Sequence, residues 1–345
     1  MLKGGRAEDG ARETRNGGRE TQRGGRQTQD AGGETPNAAR KPLKVLFIGG
    51  YGRSGSTLLD RVLGQVPGFL SVGELRHVFQ EGFVENRRCG CGEPFLECEF
   101  WQSVTRRAFG ELDGAELEDV VALKERVDRW WLLPLLARRL GTRRQRRDVD
   151  HYRRILRRLY AAIAAESGAA VLIDSSKDVS HGYALRGLGG DLDLHVLHLV
   201  RDSRAVAWSW QRRKFNPGNG ADMNRYSLLR TSAEWSAINA LTRLHRPTGA
   251  RYAALRYCDF AADPAAAVDG VLAFLGEPDR PNPIAADHTV HLAADHTAAG
   301  NPNRFRQGKV EITPDEEWRE AMPTPSRLLV GALTAPSLRR YAPTR

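Results

Sequence analysis

Cysteine is scarce in this chain, with four residues in 345, too few for a disulfide framework to hold the fold. Long apolar runs are missing as well. The longest cluster, Trp130 to Ala137, is broken by Pro134 and falls far short of the roughly 20 residues that cross a bilayer. The first residues lack the apolar stretch of a signal peptide, so the expected location is cytoplasmic, with no membrane span. Residues 1–41 carry no aromatic side chain and almost no large aliphatic one, which leaves nothing to offset the entropy of ordering. They are expected to form a disordered low-complexity tail. Acidic residues such as Glu8, Glu13, Glu20 and Asp30 interleave with its arginines and dilute any basic patch for nucleic acid.

The chain as a whole has what a folded domain needs: 41% apolar and 27% charged residues, with a net charge of +10 that favours anionic partners. Lys44-Val-Leu-Phe-Ile-Gly-Gly50 reads as a strand buried on both faces, followed by a turn and a helix over Ser54 to Leu63. Further strands are expected at Phe69–Val72, Val171–Ile173, His195–Val200 and Arg251–Leu255. Helical patterns over Tyr152–Ala165, Ser203–Arg213, Ser227–Arg243 and Pro264–Leu275 intervene. Alternation of this kind predicts an α/β fold, a doubly wound parallel sheet flanked by helices, in a single domain over residues 42–345. Two insertions decorate it, at about 81–101 and 117–147. The arginine-rich run Thr142 to Asp148 reads as a solvated turn between helices, and Phe215–Asp222 as a mobile loop.

The chemistry concentrates at Gly50-Tyr-Gly-Arg-Ser-Gly-Ser-Thr57. A glycine-rich turn between a buried strand and a helix offers backbone N–H groups and a helix N-terminus to an anion. The spacing is that of a nucleotide-binding P-loop except that Ser56 stands where the lysine belongs. That lysine reaches the β- and γ-phosphates of a triphosphate, so its loss argues against ATP or GTP. Arg53 offers a planar, bidentate guanidinium in its place. A second segment, Arg201-Asp-Ser-Arg-Ala-Val-Ala-Trp-Ser209, puts an arginine at a strand end and a serine about two helical turns later. Asp202 and Ser203 also suit a helix N-cap.

Together these segments resemble the sulfotransferases that use 3′-phosphoadenosine 5′-phosphosulfate, in the bacterial, carbohydrate and tyrosylprotein sulfotransferase-like branch. The resemblance implies that Gly52, Arg53, Ser54, Gly55, Ser56 and Thr57 cradle the 5′-phosphosulfate and that Arg201 and Ser209 bind the 3′-phosphate. Val72-Gly-Glu-Leu-Arg76, Ile173-Asp-Ser-Ser-Lys177 and His296 to Phe305 extend it over about Val45 to Trp318. It further implies a C-terminal loop over the nucleotide through Arg304, Arg306 and Gly308. The acid expected in an Arg-Tyr-Glu motif is replaced by Cys258, next to Asp259.

On this reading Glu74 is the expected general base, with His77 and His296 as rivals, and Arg53 and Lys177 stabilise the transferring group. The alternative for Lys177 is a simple ion pair with Asp174. Products would be adenosine 3′,5′-bisphosphate and a sulfated small molecule, carbohydrate, lipid or peptide. The acceptor pocket is expected from the two insertions and the 215–222 loop, and Trp130, Trp131 and Trp210 are either stacking platforms or core. Cys89, Cys91 and Cys98 are expected as reduced packing residues or a disulfide. A zinc set would need a fourth ligand such as His77, and no metal is expected. A P-loop kinase or nucleotidase is the alternative enzyme, and a non-catalytic nucleic-acid binder is a weaker one, since no aromatic-basic recognition motif is present. The sequence leaves the oligomeric state and the acceptor open.

Overall fold

The computed structural model describes residues 42–111, 113–138, 140–218, 220–246 and 251–341. The expected tail, residues 1–41, lies outside the described residues. Five parallel strands form the central sheet: β1 (Leu43–Gly49), β2 (Phe69–Gly73), β3 (Val171–Lys177), β4 (Leu192–Val200) and β7 (Arg251–Arg256), in the spatial order β2-β3-β1-β4-β7. The α/β parallel architecture expected from the alternating pattern is therefore present. Strand β1 explains the two-faced core. Its alternate residues Val45 and Phe47 enter one apolar cluster while Leu46 and Ile48 enter the other, all fully buried.

One face is covered by α2 (Glu99–Phe109), α5 (Arg143–Ser167) and α6 (Val179–Arg186), and the other by α1 (Ser56–Leu63) and α10 (Pro264–Leu275). Helices α3 (Gly114–Val127) and α4 (Leu133–Arg138) lie between α2 and α5 in the chain. Helices α7 (Ser203–Gln211), α8 (Leu228–Arg243), α9 (Tyr257–Ala262), α11 (Trp318–Ala321) and α12 (Thr324–Leu338) complete the described set. The chain leaves β1 toward β2 on one side and later crosses to β4 on the other. The C-terminal ends of β1, β3 and β4 thus form the switch point at which open α/β sheets bind ligands.

Three local expectations need correction. The run 143–147 is not a turn but the start of α5: Thr142 caps it by accepting from the Gln145 N–H, while the Gln145 side chain accepts from the Thr142 N–H. Segment 215–222 is a hairpin of β5 (Phe215–Asn216) and β6 (Ala221–Asp222). Strand β3 continues past Ile173 through Asp174, Ser175 and Ser176. Their side chains have buried partners: Ser175 Oγ donates to Asp60 at 2.8 Å, and Asp174 meets His181 at 3.0 Å. A satisfied polar residue need not end a strand. A second small ribbon, β8 (Thr289–Leu292) with β9 (Gly308–Glu311), brackets the segment 293–307.

Candidate functional site

At the end of β1 the chain turns through the glycine-rich loop into α1. Gly55 is the N-cap, at φ 88, and a Cβ there would lie 2.5 Å from the Tyr257 ring, so glycine is required by conformation and by space. No side chain caps α1 and its first turn holds no acid. The first N–H groups of the helix, at Ser56 and Thr57, therefore border a cavity of about 690 Å³ at the sheet's switch point. Its wall carries seven arginines and lysines (Arg53, Arg87, Lys177, Arg201, Arg212, Arg213, Lys214) against four carboxylates (Glu74, Glu81, Asp222, Asp315). The wall is net cationic, which favours anionic ligands.

Arg53 adopts φ 68, an unusual conformation for a side-chain-bearing residue, which turns it onto the face of Trp210 at 4.8 Å. Its Nη2 contacts Met223 Sδ at 3.3 Å and its buried Nε has no hydrogen-bond partner. Burial pulls the Arg53 pKa down, and the nearby Glu74 charge offsets part of this. Arg201, at the end of β4, donates to the Arg53 carbonyl at 3.2 Å, so the two arginines meet. The Trp235 indole fixes the Arg201 backbone at 3.0 Å, and Asp315 takes its Nη2 at 2.8 Å. Arg201 Nε too is buried without a hydrogen-bond partner. Ser209, on α7, lines the same cavity, and Asp202 caps that helix through the Arg204 N–H.

Glu74 and Lys177 come from the ends of β2 and β3 and form an ion pair at 2.5 Å. Lys177 therefore does not pair with Asp174, whose carboxylate is buried against His181, Tyr160 and Ser176. Arg76 turns away from Glu74 toward Asp128 at 2.8 Å.

Other expected residues fall elsewhere. Ser54 is buried and ties the loop to itself through the Tyr51 carbonyl at 2.7 Å. Arg304 is buried against the Thr297 and Arg88 carbonyls, Arg306 is exposed, and Gly308 pairs in β9; none of the three borders the cavity. Gly300, Asn301 and Asn303 border it instead. His77 lies behind Glu74 at 3.9 Å, where burial pushes its pKa down to about 4 and leaves it a poor base near neutrality. His296 lies away from the cavity, against Cys89 and Cys98. Among the described residues, none of 117–147 contributes to the wall, whereas Glu81, Arg87, Asn216 and Asp222 do. Trp210 lines it, but Trp130 and Trp131 are exposed outside it, in neither core nor pocket. Asp259 pairs with Arg256 on the surface, and Cys258 beside it is exposed.

No sequence motif signals Lys214. It projects from the hairpin segment, donates to Asn301 at 3.0 Å and Asn303 at 2.9 Å, and has its pKa pushed down to about 8 by burial and by the charges of Arg53 and Arg212. No helix among the described residues is long and apolar enough to cross a membrane.

A scan of protein-family models finds no match, and a search of curated proteins finds none either. Among solved structures the chain is similar to a sulfotransferase domain from the curacin biosynthetic pathway, with 16% identity over 85% of this chain and 97% of that one and a TM-score of 0.46. It is similar to a sulfotransferase domain from the Synechococcus PCC 7002 olefin synthase, at 20% identity, 85% and 94% coverage and a TM-score of 0.41. A sulfotransferase from Alicyclobacillus acidocaldarius matches at 15% identity, 87% and 93% coverage and a TM-score of 0.37.

Proposed function

We propose that this protein transfers a sulfonate group from 3′-phosphoadenosine 5′-phosphosulfate to a hydroxyl or amine of an acceptor. The observation that carries the reading is the convergence of two anion-holding groups on one cavity: the lysine-free loop 52–57, and the Arg201/Ser209 pair of the crossover that follows β4. The donor fits this cavity on physical grounds. Arg53 and Arg201 each bury a guanidinium Nε without a hydrogen-bond partner, and cations outnumber carboxylates around the wall.

The donor supplies an activated sulfur, on which the acceptor oxygen or nitrogen forms a bond as the bridging S–O bond to the 5′-phosphate breaks. Arg53 and the N–H groups at Ser56 and Thr57 would hold the 5′-phosphate and neutralise the charge it gains, each charge-assisted bond contributing roughly 1.5–3 kcal/mol. Arg201 and Ser209 would bind the 3′-phosphate. Glu74 would take the acceptor proton on its carboxylate, with Lys177 holding that carboxylate in place. The acceptor would enter beside Glu81, Arg87 and the 215–222 hairpin, a mixed polar wall that suits a polar or anionic molecule.

Calorimetry with adenosine 3′,5′-bisphosphate tests the reading. Expected are binding by the wild type and loss of affinity in Arg201→Ala and Arg53→Ala, with ATP and Mg²⁺ binding more weakly. No uptake by the wild type sinks it. Tight ATP-Mg²⁺ binding instead would restore the kinase alternative, which must explain Ser56 in the lysine position. A screen for label transfer to sugars, phenols, lipids and peptides then identifies the acceptor.

A further inference from the structure

Away from the cavity, the cysteine-rich insertion meets a distant segment of chain. Cys89, Cys91 and Cys98 converge with His296, and all four ligand atoms lie within 4.8 Å of one another. Cys91 Sγ is 3.8 Å from Cys98 Sγ, while His296 Nδ1 is 3.8 Å from Cys89 Sγ and 3.3 Å from Cys98 Sγ. A disulfide would bring two sulfurs to about 2.05 Å. Four ligands at ~2.0–2.3 Å from a central zinc lie about 3.5–3.8 Å apart along the edges of a tetrahedron. The separations of 3.3–3.8 Å lie close to those edges and far beyond a disulfide bond.

The surroundings hold the ligands in this arrangement. The Cys89 N–H donates to the Glu93 carbonyl at 2.7 Å and the Gly92 N–H to the Cys89 carbonyl at 2.9 Å, folding the chain so that Cys91 returns beside Cys98. Cys98 is the N-cap of α2, and its side chain makes no capping hydrogen bond; its sulfur meets Cys91 and His296 instead. The His296 ring is stacked on Phe100 with centroids 4.7 Å apart, and the Trp101 indole N–H donates to the His296 carbonyl at 2.9 Å. Position 90 admits only glycine: a Cβ there would overlap Asp295 Oδ1 and Thr297 Oγ1, so the loop can press directly on the 295–297 segment. Arg304, buried and donating to the Arg88 and Thr297 carbonyls, sets a cation between the two ligand-bearing stretches. Three thiolates and one neutral imidazole on a divalent ion leave one net negative charge, which that cation balances.

We propose that Cys89, Cys91, Cys98 and His296 hold one structural zinc ion. Four protein ligands close the coordination shell, so the ion supports the fold and takes no part in chemistry. Three thiolates with one imidazole select zinc over the hard, oxygen-seeking cations. His296, and not His77, completes the set. The bond would join the insertion to a segment 198 residues away. That segment runs on to Ala298, whose N–H donates to Val72 at 3.0 Å, and to Ala299, which accepts from the Glu74 N–H at 3.2 Å. The zinc would thus anchor the stretch that frames Glu74 and leads to Asn301 and Asn303 at the cavity wall.

The test is elemental analysis of the purified full chain, together with cobalt exchange. Expected are about one zinc per chain, and after exchange the intense visible bands of tetrahedral thiolate-bound Co²⁺. Cys98→Ser and His296→Ala should each lose the metal, and the exposed Cys258→Ser should keep it. The measurements on the wild type stand even where a ligand variant does not fold. A reduced wild-type chain that purifies without metal and takes up neither Zn²⁺ nor Co²⁺ overturns the proposal. So does a Cys91–Cys98 disulfide found by peptide mass mapping of that chain, or iron in place of zinc.

Discussion

Lys177 Nζ lies 2.5 Å from Glu74 Oε1 and 2.8 Å from the Ser175 carbonyl, linking the ends of two neighbouring strands across the mouth of the cavity. Lys177 reaches this position from φ 65, a backbone conformation that L-residues rarely adopt and that clusters at functional sites. If Glu74 is the base, Glu74→Gln lowers kcat by about 10²–10⁴ while adenosine 3′,5′-bisphosphate affinity stays near wild type. Lys177→Ala also slows transfer, and the double variant loses less than the sum of the two, since both residues act through one contact. Single-turnover rates with the acceptor found by the transfer screen decide it. Wild-type turnover in Glu74→Gln removes Glu74 from the mechanism.

Arg201 presents a different balance. Its guanidinium is held by Asp315, an exposed carboxylate that would compete with a phosphate for the same donors. An ion pair with one exposed partner contributes about 0.5–1 kcal/mol. Asp315→Ala is therefore expected to tighten adenosine 3′,5′-bisphosphate binding about two- to fivefold, by calorimetry at low salt. Weaker binding in that variant would mean that Asp315 positions Arg201 for its ligand instead of competing with it.

What could be read in the sequence is what local physics encodes. The buried apolar run of β1, the glycines of the loop and the Pro264 start of α10 are contiguous signals, and these elements lie within a residue or two of their expected bounds. Arg53 and Arg201 are legible because each follows a strand that the pattern reveals, and Ser209 because it falls about two helical turns beyond Arg201. The start of α5 carries a signal that the arginine run obscures: Thr142 with Gln145 three positions on is a capping box, and it outweighs the mutual repulsion of the arginines that follow. Lys214 and the pairing of His296 with the thiols have none. Both depend on which distant segments the fold brings together, and a lone lysine or histidine carries no pattern of its own. Arg304 misleads for the same reason, since a guanidinium that binds backbone carbonyls reads in sequence like one that binds phosphate.

If the proposed donor binds in this cavity, its affinity should depend on pH through Lys214. Burial and the neighbouring Arg53 and Arg212 lower its pKa from 10.5 to about 8, so a fraction of the free protein is already neutral there just above neutrality. A bound anion favours the charged form and raises that pKa, so affinity is full below about pH 8 and falls as pH rises through it. Titration of adenosine 3′,5′-bisphosphate affinity from about pH 6.5 to 9.5 should show this decline in the wild type, and Lys214→Arg should flatten it. An equal decline in the variant assigns the effect to another group.

Asp60 lies fully buried on α1 beneath the loop, and burial pushes its carboxyl up from 3.8 to about 7. The hydrogen bond from Ser175 relieves part of this, while the charges of Asp295 and Asp174 add to it. The sign for stability follows from proton counts. Between pH 3.8 and about 7 the folded protein holds a proton at Asp60 that the unfolded chain has released, so this residue's contribution to stability declines as pH rises through that window and stays lowered above it. A tenfold difference in proton affinity between the folded and unfolded chains corresponds to about 1.4 kcal/mol. Asn matches the protonated carboxyl in shape and keeps an oxygen for Ser175 Oγ, which donates at 2.8 Å. Asp60→Asn should therefore be close to wild type in urea unfolding at about pH 3.5 and more stable than it at about pH 8, the gap reaching a few kcal/mol. If the variant is less stable at both values, the carboxylate is charged in the folded protein and the loop above it is supported by that charge.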